Sequence, residues 1–228
     1  MITRRTVLAL AGLAVGGVTG CAEQPATVAA PDVPVRLRTR WQGRPDGPLP
    51  PRGDEGVPFT LALSESSASP TVTGGALVGN LPDRHAAAYV MQQLDAKVRR
   101  IGATFGVGPG TDAGSLALVA WVPGRATLET HCHVVVTPTR WIVATAENNA
   151  LDELASGTLS RPLPQDGTPQ RVEVVFDGAT AFLTLPDGSS HQITGEAIGR
   201  IPGAIAGWEF YRDHAGGADV RLYETWAG

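Results

Sequence analysis

Short stretches in which apolar and polar residues alternate recur along most of the chain. In the first, Val35 to Trp41, apolar residues and Thr39 occupy the odd positions and arginines the even ones. Because successive side chains of a β-strand point to opposite faces, this pattern predicts a half-buried strand with an arginine-lined outer face. Further runs rich in β-branched and aromatic residues follow, bounded by Gly, Pro, Asp or Asn: Thr60–Leu63, Thr71–Val78, Ala86–Met91, Val98–Val107, Leu116–Val122, Leu128–Val136, Trp141–Ala146, Arg171–Phe176, Thr180–Leu185, Ala204–Tyr211 and Val220–Trp226. This spacing predicts an all-β fold in which two antiparallel sheets form a sandwich or jelly roll.

Two segments carry more specific local signals. Two alternating runs flank Asp177-Gly178, a dipeptide that suits a type I′ hairpin turn because it tolerates positive φ. In contrast, Leu151 and Leu154 stand three residues apart and Gly157 follows them. That spacing predicts a short helix over residues 150–157 with a glycine at its C-terminal cap.

The hairpin carries a family resemblance. Val172, Val174, Asp177 and Gly178 resemble a V-x-V-x-x-D-G hairpin of the concanavalin A-like lectin/glucanase superfamily, which includes laminin-G-like modules. Four further segments are similar to its opening turn (44–49), an early strand (74–78) and its closing strand pair (207–211 and 220–226). The resemblance covers residues 40–227 and implies a two-sheet antiparallel jelly roll. Members of the superfamily bind sugars, hydrolyse them, bind proteins or only provide structure, so the fold by itself assigns no activity.

Residues 1–20 have the features of a cleaved export signal. Arg4 and Arg5 precede an apolar run, Val7 to Val18, that is too short to cross a bilayer as a stable helix. The arginine pair resembles a twin-arginine export motif, and the general secretory route remains an alternative. The sequence Val18-Thr19-Gly20-Cys21 resembles the lipobox of bacterial lipoproteins, which implies acyl chains on Cys21 that hold the protein on the outer face of the cytoplasmic membrane. Residues 21–34 are then the lipidated cysteine with an Ala/Pro-rich tether, and 35–228 the β-sandwich domain.

Charge and cysteine content narrow the choice of partners. The chain of 228 residues has a formal net charge of −4, which argues against nucleic acid and against broad electrostatic docking on anionic lipid. It has two cysteines, so lipidation of Cys21 leaves Cys132 without a disulfide partner. The domain is therefore expected to depend on its hydrophobic core rather than on a disulfide. A Cys21–Cys132 disulfide is the alternative reading of this pair.

The strongest candidate binding residues are Glu129, His131 and His133. On a strand these three share one face, and Cys132 lies on the other. Two histidines and a carboxylate offer ligands for Zn²⁺, and Glu147, His85, His191 or His214 are candidates for a fourth. A polar row that faces solvent or a ligand groove is the alternative. Because both histidines point away from Cys132, neither is placed to activate its thiol as a nucleophile.

Other candidates rest on weaker patterns. Glu209 and Asp213 would share a strand face on either side of Tyr211 if the strand extended that far, but the Glu-x-Asp-x-x-Glu motif of the glycosidase relatives is absent. Trp41 and Trp141 each adjoin an arginine and are predicted to be exposed and able to stack on sugar, whereas Trp121, Trp208 and Trp226 are predicted to be core. Turn aspartates are possible calcium ligands by resemblance: Asp46, Asp112, Asp177 and Asp187.

These observations predict an exported lipoprotein whose domain binds carbohydrate or glycolipid of the cell envelope without catalysis. The predicted binding residues are Glu129, His131, His133, Trp41, Trp141, Glu209 and Tyr211. No cofactor is predicted beyond the calcium or zinc alternatives. A protein-interaction or structural module and a divergent glycoside hydrolase remain the alternative functions.

Overall fold

Two antiparallel β-sheets make up most of the structure. The computed structural model describes residues 29–64, 67–121, 130–147, 150–200 and 202–228. The strands found in these residues are β1 (Leu37–Arg40), β2 (Gly47–Pro48), β3 (Phe59–Leu63), β4 (Ala68–Thr73), β5 (Ala76–Asn80), β6 (Ala86–Gln93), β7 (Arg100–Val107), β8 (Gly114–Trp121), β9 (Thr130–Val136), β10 (Arg140–Glu147), β11 (Ala150–Thr158), β12 (Gln170–Asp177), β13 (Thr180–Thr184), β14 (Ser190–Thr194), β15 (Ile205–Arg212) and β16 (Val220–Ala227). A short helix, α1 (Glu196–Arg200), lies between β14 and β15. The predicted all-β, two-sheet architecture is confirmed.

The strand order brings distant segments of the chain together. One sheet has nine strands in the order β14-β13-β12-β7-β16-β5-β4-β2, with β1 paired to the second half of β16. The other has seven, in the order β11-β10-β9-β8-β15-β6-β3. Strands far apart in the sequence therefore pair, such as β1 with β16 and β6 with β15.

The hydrophobic core lies between the inner faces of the two sheets. Its largest fully buried side chains include Trp41, Trp208, Phe105 and Phe210. The Trp208 Nε1 group donates a hydrogen bond of 2.9 Å to the Gly102 backbone oxygen of the opposite sheet, so burial of this indole leaves no donor unsatisfied. Cys132 is a free, fully buried cysteine in this core. Burial raises the pKa of the Cys132 thiol to about 12, so Cys132 behaves as a small apolar residue of the core.

The arginine-lined strand is confirmed at β1. Leu37 and Thr39 are buried, whereas Arg36 and Arg40 are exposed. The chain makes contact with the domain slightly before this strand, because Val33 is buried and its carbonyl oxygen accepts a 2.7 Å hydrogen bond from Arg100 Nη1.

No helix in the described residues is long and apolar enough to cross a membrane.

The predicted hairpin is also confirmed, with its turn one residue later than expected. Asp177 pairs with Thr180, so Gly178 and Ala179 form the turn, and Gly178 has a φ of +56°. The glycine thus supplies the left-handed conformation at the first turn position.

The helix predicted over residues 150–157 is wrong, because this segment is the edge strand β11. It pairs with β10 from Arg140–Thr158 to Glu147–Ala150, so the sheet satisfies its backbone. Leu151 is exposed, so the spacing of Leu151 and Leu154 does not mark one buried face. Gly157 is needed for close packing instead of helix capping, since a Cβ there would lie 2.8 Å from the Trp141 Nε1 atom. Strand pairing overrides the weak local preference for a helix.

Candidate functional site

Four of the predicted binding residues lie on one surface, the outer face of the seven-stranded sheet. His131 and His133 are on β9, and Glu209 and Tyr211 are on β15. The residues that follow them in the chain point into the core: Cys132, Val134, Trp208 and Phe210. Because side chains alternate along a strand, the four predicted residues lie on the outer face. Glu129, the fifth predicted member, lies outside the described residues.

This outer face carries a second apolar cluster. Its buried members are Ala87, Tyr89, Met91, Ala117, Val119 and Trp121. The Trp121 ring crosses to the next strand over Gly207, where a Cβ would lie 2.2 Å from the ring, and its centroid is 5.3 Å from that of Tyr89. Trp121 is thus buried as predicted, but on the outer face and not between the sheets.

The two histidines form a hydrogen-bonded pair. His131 Nε2 and His133 Nδ1 are 2.9 Å apart, an arrangement open to two neutral imidazoles because each offers one donor and one acceptor. Burial, with a smaller contribution from His131, lowers the pKa of His133 to about 3. In the described part of the chain, no group of three or more His, Cys, Asp and Glu residues is placed to hold a metal ion. The zinc prediction keeps Glu129 as a ligand outside that part.

The half-buried His133 predicts a specific pH dependence of stability. Because the folded-state pKa lies below the ordinary value of about 6.5, the unfolded chain takes up a proton first as pH falls. The contribution of neutral His133 to the free energy of unfolding is fully present above about pH 6.5. It declines as the pH falls toward the folded-state pKa, by up to about 2 kcal/mol at pH 5. Urea unfolding at pH 7 and pH 5 checks this: His133→Gln should reduce the difference, while the exposed His214→Gln should not. Equal pH dependence in wild type and His133→Gln would refute it.

Glu209 and Asp213 do not share a strand face. Strand β15 ends at Arg212, and Asp213 lies beyond it, with its backbone N–H bound to the Ala113 oxygen. The Tyr211 hydroxyl donates a 3.1 Å hydrogen bond to Asp213. Burial, then the charges of Asp213 and Glu209, raises the Tyr211 pKa, so the phenol stays protonated. The prediction that Glu209 and Asp213 share a face required a strand that continues to residue 213. Strand β15 ends before that residue, so the condition is not met.

The prediction that Trp41 and Trp141 are exposed is wrong. Trp41 is 0% and Trp141 5% exposed, and both belong to the core. Each follows the alternation of its strand to the inner face, where Trp41 stacks on Phe59 with ring centroids 5.6 Å apart. The adjacent arginines lie on the opposite faces, so an arginine beside a tryptophan did not indicate exposure.

The turn aspartates serve as hydrogen-bond acceptors at separate places. Asp46 accepts from the Gly74 N–H, Asp112 from Thr139, and Asp177 from Arg99. Asp187 accepts from Ser160 and Ser189, and although burial opposes the effect, these hydrogen bonds lower its pKa. Each of these carboxylates thus has a hydrogen-bond donor from another segment of the chain.

A cleft of about 340 Å³ opens on the other sheet, on the outer face of the nine-stranded one. Its floor and walls come from segments far apart in the chain: Arg40, Gln42, Gly74, Gly75, Thr104, Pro169, Tyr223 and Glu224. A bulge between Leu222 and Glu224 in β16 turns Tyr223 outward, and a Cβ on Gly106 would lie 3.0 Å from its Cε2 atom. The Tyr223 hydroxyl donates a 2.6 Å hydrogen bond to the Gly167 oxygen, which fixes the ring as one wall of the cleft.

The charged groups of the cleft are held by ion pairs. Glu224 accepts hydrogen bonds from Arg38 Nη1 at 2.7 Å and Arg40 Nε at 3.2 Å. Its carboxylate is only 22% exposed, so two guanidinium groups hold it in place at the cleft wall. None of the cleft residues was predicted as a binding residue. The arginine alternation of β1 was the one sequence signal that pointed to this face.

Beside the cleft, Trp226 lies flat on the same outer face. It is 1% exposed and covers Gly102, where a Cβ would lie 2.4 Å from two ring atoms. Arg171 lies over the ring, with its guanidinium carbon 4.4 Å from the ring centroid. The Trp226 Nε1 group donates to Glu173 at 2.6 Å, and Glu173 also accepts from Arg100 and Arg171. Trp226 is therefore buried as predicted, again outside the core between the sheets.

Comparison with solved structures establishes the fold. The chain is similar to the carbohydrate-binding module CBM66 from Bacillus subtilis (TM-score 0.50, 10% identity, 72% of this chain and 94% of that one). It is also similar to the VIP36 exoplasmic/lumenal domain in a form with Ca²⁺ and mannose bound (0.56, 14%, 85% and 91%). The Emp46p carbohydrate recognition domain is a third neighbour (0.54, 13%, 74% and 87%). The chain thus has the two-sheet jelly-roll fold of lectins and carbohydrate-binding modules. No family model and no curated protein matches the sequence.

Proposed function

We propose that the domain binds carbohydrate without modifying it, and that the cleft on the nine-stranded sheet is its binding site. The observation that carries the proposal is the combination of an aromatic wall with fixed polar groups in one cleft. Two of the structural neighbours support it, since one is a carbohydrate-binding module and another has mannose bound.

The cleft offers the groups that a sugar requires. Tyr223 and Pro169 supply apolar surface against which the C–H face of a sugar ring can pack. Glu224 accepts hydrogen bonds from hydroxyl groups, Arg40 donates them, and Thr104 and Gln42 can do both. Ligand pockets commonly combine an apolar wall with a few fixed polar groups in this way.

A blocking substitution tests the site. We expect Thr104→Trp to fill the cleft and abolish binding of the mature chain (residues 21–228 with Cys21→Ser) on an array of envelope glycans. Thr158→Trp, at an exposed position on β11 in the other sheet, is the matched control and should bind as wild type does. Equal binding by both variants would place the site elsewhere, whereas recovery of only proteins from an envelope extract would favour an interaction module.

We also propose that the protein lies on the outer face of the cytoplasmic membrane. The lipobox resemblance and the tether support an exported protein that is anchored by acyl chains on Cys21, with envelope polysaccharide or glycolipid as the ligand. Cys21→Ser should release the protein from the membrane fraction or leave an uncleaved precursor. A variant that is still processed and still requires detergent for extraction would contradict the anchor.

A further inference from the structure

Positive charge is concentrated on the sheet face that carries the cleft. The chain as a whole has a net charge of −4. In the described structure, outward positions of β1, β7, β12 and β16 nevertheless hold five arginines and three carboxylates: Arg38, Arg40, Arg100, Arg171 and Arg221 against Glu173, Asp177 and Glu224. The acidic balance of the chain therefore does not describe this face.

The charges of the carboxylates on this face are already paired with arginines. Glu224 is shared by Arg38 and Arg40, and Glu173 by Arg100 and Arg171. Each of these groups of three keeps one unneutralised positive charge. Near the cleft, Asp54 pairs with Arg44 and also accepts from the Arg40 backbone N–H, so its charge is balanced as well. Asp46 accepts from the N–H of the cleft residue Gly74 and pairs with no described basic residue, so the excess positive charge lies on the Arg40 side of the cleft.

Two arginines keep donors available. The Arg40 side chain is 66% exposed, and only its Nε binds a protein acceptor among the described residues, so both Nη atoms are accessible. Arg221 is exposed three residues before Glu224 on the same strand, and no described carboxylate lies within ion-pair distance of it. A guanidinium edge with two free N–H groups matches the geometry of a carboxylate.

The charged residues form a row across the strands. Arg40, Glu224, Thr104 and Arg171 are neighbours in register on β1, β16, β7 and β12. Because adjacent strands are 4.7–4.9 Å apart, the backbones of Arg40 and Arg171 are about 14 Å apart across this row. A ligand that lies in the cleft therefore meets the Arg40 guanidinium at one side, whereas the Arg171 guanidinium lies over the Trp226 ring beside the cleft.

We propose that the carbohydrate bound in the cleft is acidic, and that a sugar carboxylate pairs with the exposed edge of Arg40. This inference rests on the proposed function and names its ligand class. A uronate-bearing polysaccharide fits better than a flat anionic lipid surface, because the excess charge adjoins a concave site with an aromatic wall. Docking on an anionic membrane gains about 1 kcal/mol for each basic residue near the surface. The small excess of arginines on this face would therefore bind such a membrane only weakly.

The test compares a uronate polymer with a neutral one. Affinities of the mature chain with Cys21→Ser for polygalacturonate and for dextran are measured by calorimetry at low and high salt. We expect polygalacturonate to bind at least about tenfold more tightly and to weaken with salt. Arg40→Gln should weaken that binding by about tenfold or more and leave dextran unaffected, and Arg221→Gln, outside the cleft lining, should weaken it less. Arg140→Gln, at an exposed arginine on the other sheet, is the charge-matched control and should change neither.

Each contrary outcome has a distinct meaning. Equal affinity for both polymers, blocked by Thr104→Trp, keeps the carbohydrate site and overturns the acidic ligand. Binding of neither polymer, together with an empty glycan array, overturns both proposals. Arg40-dependent binding to vesicles of anionic phospholipid without binding to either polymer would assign the face to the lipid surface and overturn the inference.

Discussion

Glu173→Ala is expected to lower the free energy of unfolding by about 2–4 kcal/mol. The Glu173 carboxylate is only 14% exposed and receives hydrogen bonds from Arg100, Arg171 and the Trp226 indole. Its removal leaves the N–H of a buried tryptophan without an acceptor and the mostly buried Arg100 without its carboxylate. Both groups then bear the cost of burial without compensation, which is why the loss should exceed that of an ordinary surface ion pair.

Urea unfolding monitored by circular dichroism measures this effect. Glu147→Ala is the matched control, because its ion pair with Arg200 is about half exposed at both ends and its loss should cost less than about 1 kcal/mol. Glu173→Gln keeps an acceptor for Trp226 while losing the charge, so it should fall between the two. Equal effects of the Glu173 and Glu147 substitutions would show that the network around Trp226 adds no stability.

Local alternation predicted many of the strands and the buried face of several of them. It correctly gave the outward arginines of β1 and the β12–β13 hairpin, since both depend only on neighbouring residues. It failed at β11, where exposed residues adopt a strand because β10 offers a partner. It also missed the short strands β2 and β14, whose sequences carry little apolar pattern.

The position of the cleft could not be predicted in the same way. Arg40, Thr104, Pro169 and Tyr223 are separated by long stretches of sequence, and they meet only because β16 pairs with both β1 and β7. A pattern of alternation assigns a residue to a face, but it does not say which strand lies beside it. Strand order is set by packing of the whole domain, which a local window does not contain.

The tryptophans illustrate a second limit of sequence reasoning. Burial of Trp121 and Trp226 was predicted, but both are buried on outer faces, where each ring covers a glycine of a neighbouring strand. Alternation would place such residues in solvent, and apolar character would place them in the core. The glycine on the next strand is the feature that decides the outcome, and it becomes informative only when the register is known.

The same register predicts a large effect for Gly102→Ala. The added methyl group would lie 2.4 Å from the Cε2 and Cζ2 atoms of Trp226. The ring has little freedom to move away, because Arg171 covers its other side and Glu173 holds its N–H. The backbone is also constrained from the core side, where the Gly102 oxygen accepts the Trp208 hydrogen bond. We expect a loss of about 1–3 kcal/mol or more, since overpacked cores cost this much when neighbours cannot relax.

Urea unfolding of Gly102→Ala, with Gly195→Ala as control, measures the clash. The atoms nearest to a Cβ on Gly195 would be methyl carbons of Leu154 and Ile198 at 3.8–4.0 Å, so that substitution should be close to neutral. The cause is then isolated by a double-mutant cycle with Trp226→Leu, which removes the ring that the methyl group would strike. The double variant should be more stable than the sum of the single effects by more than about 1 kcal/mol. Additive losses would mean that Gly102 is required for its backbone conformation and not for the ring above it.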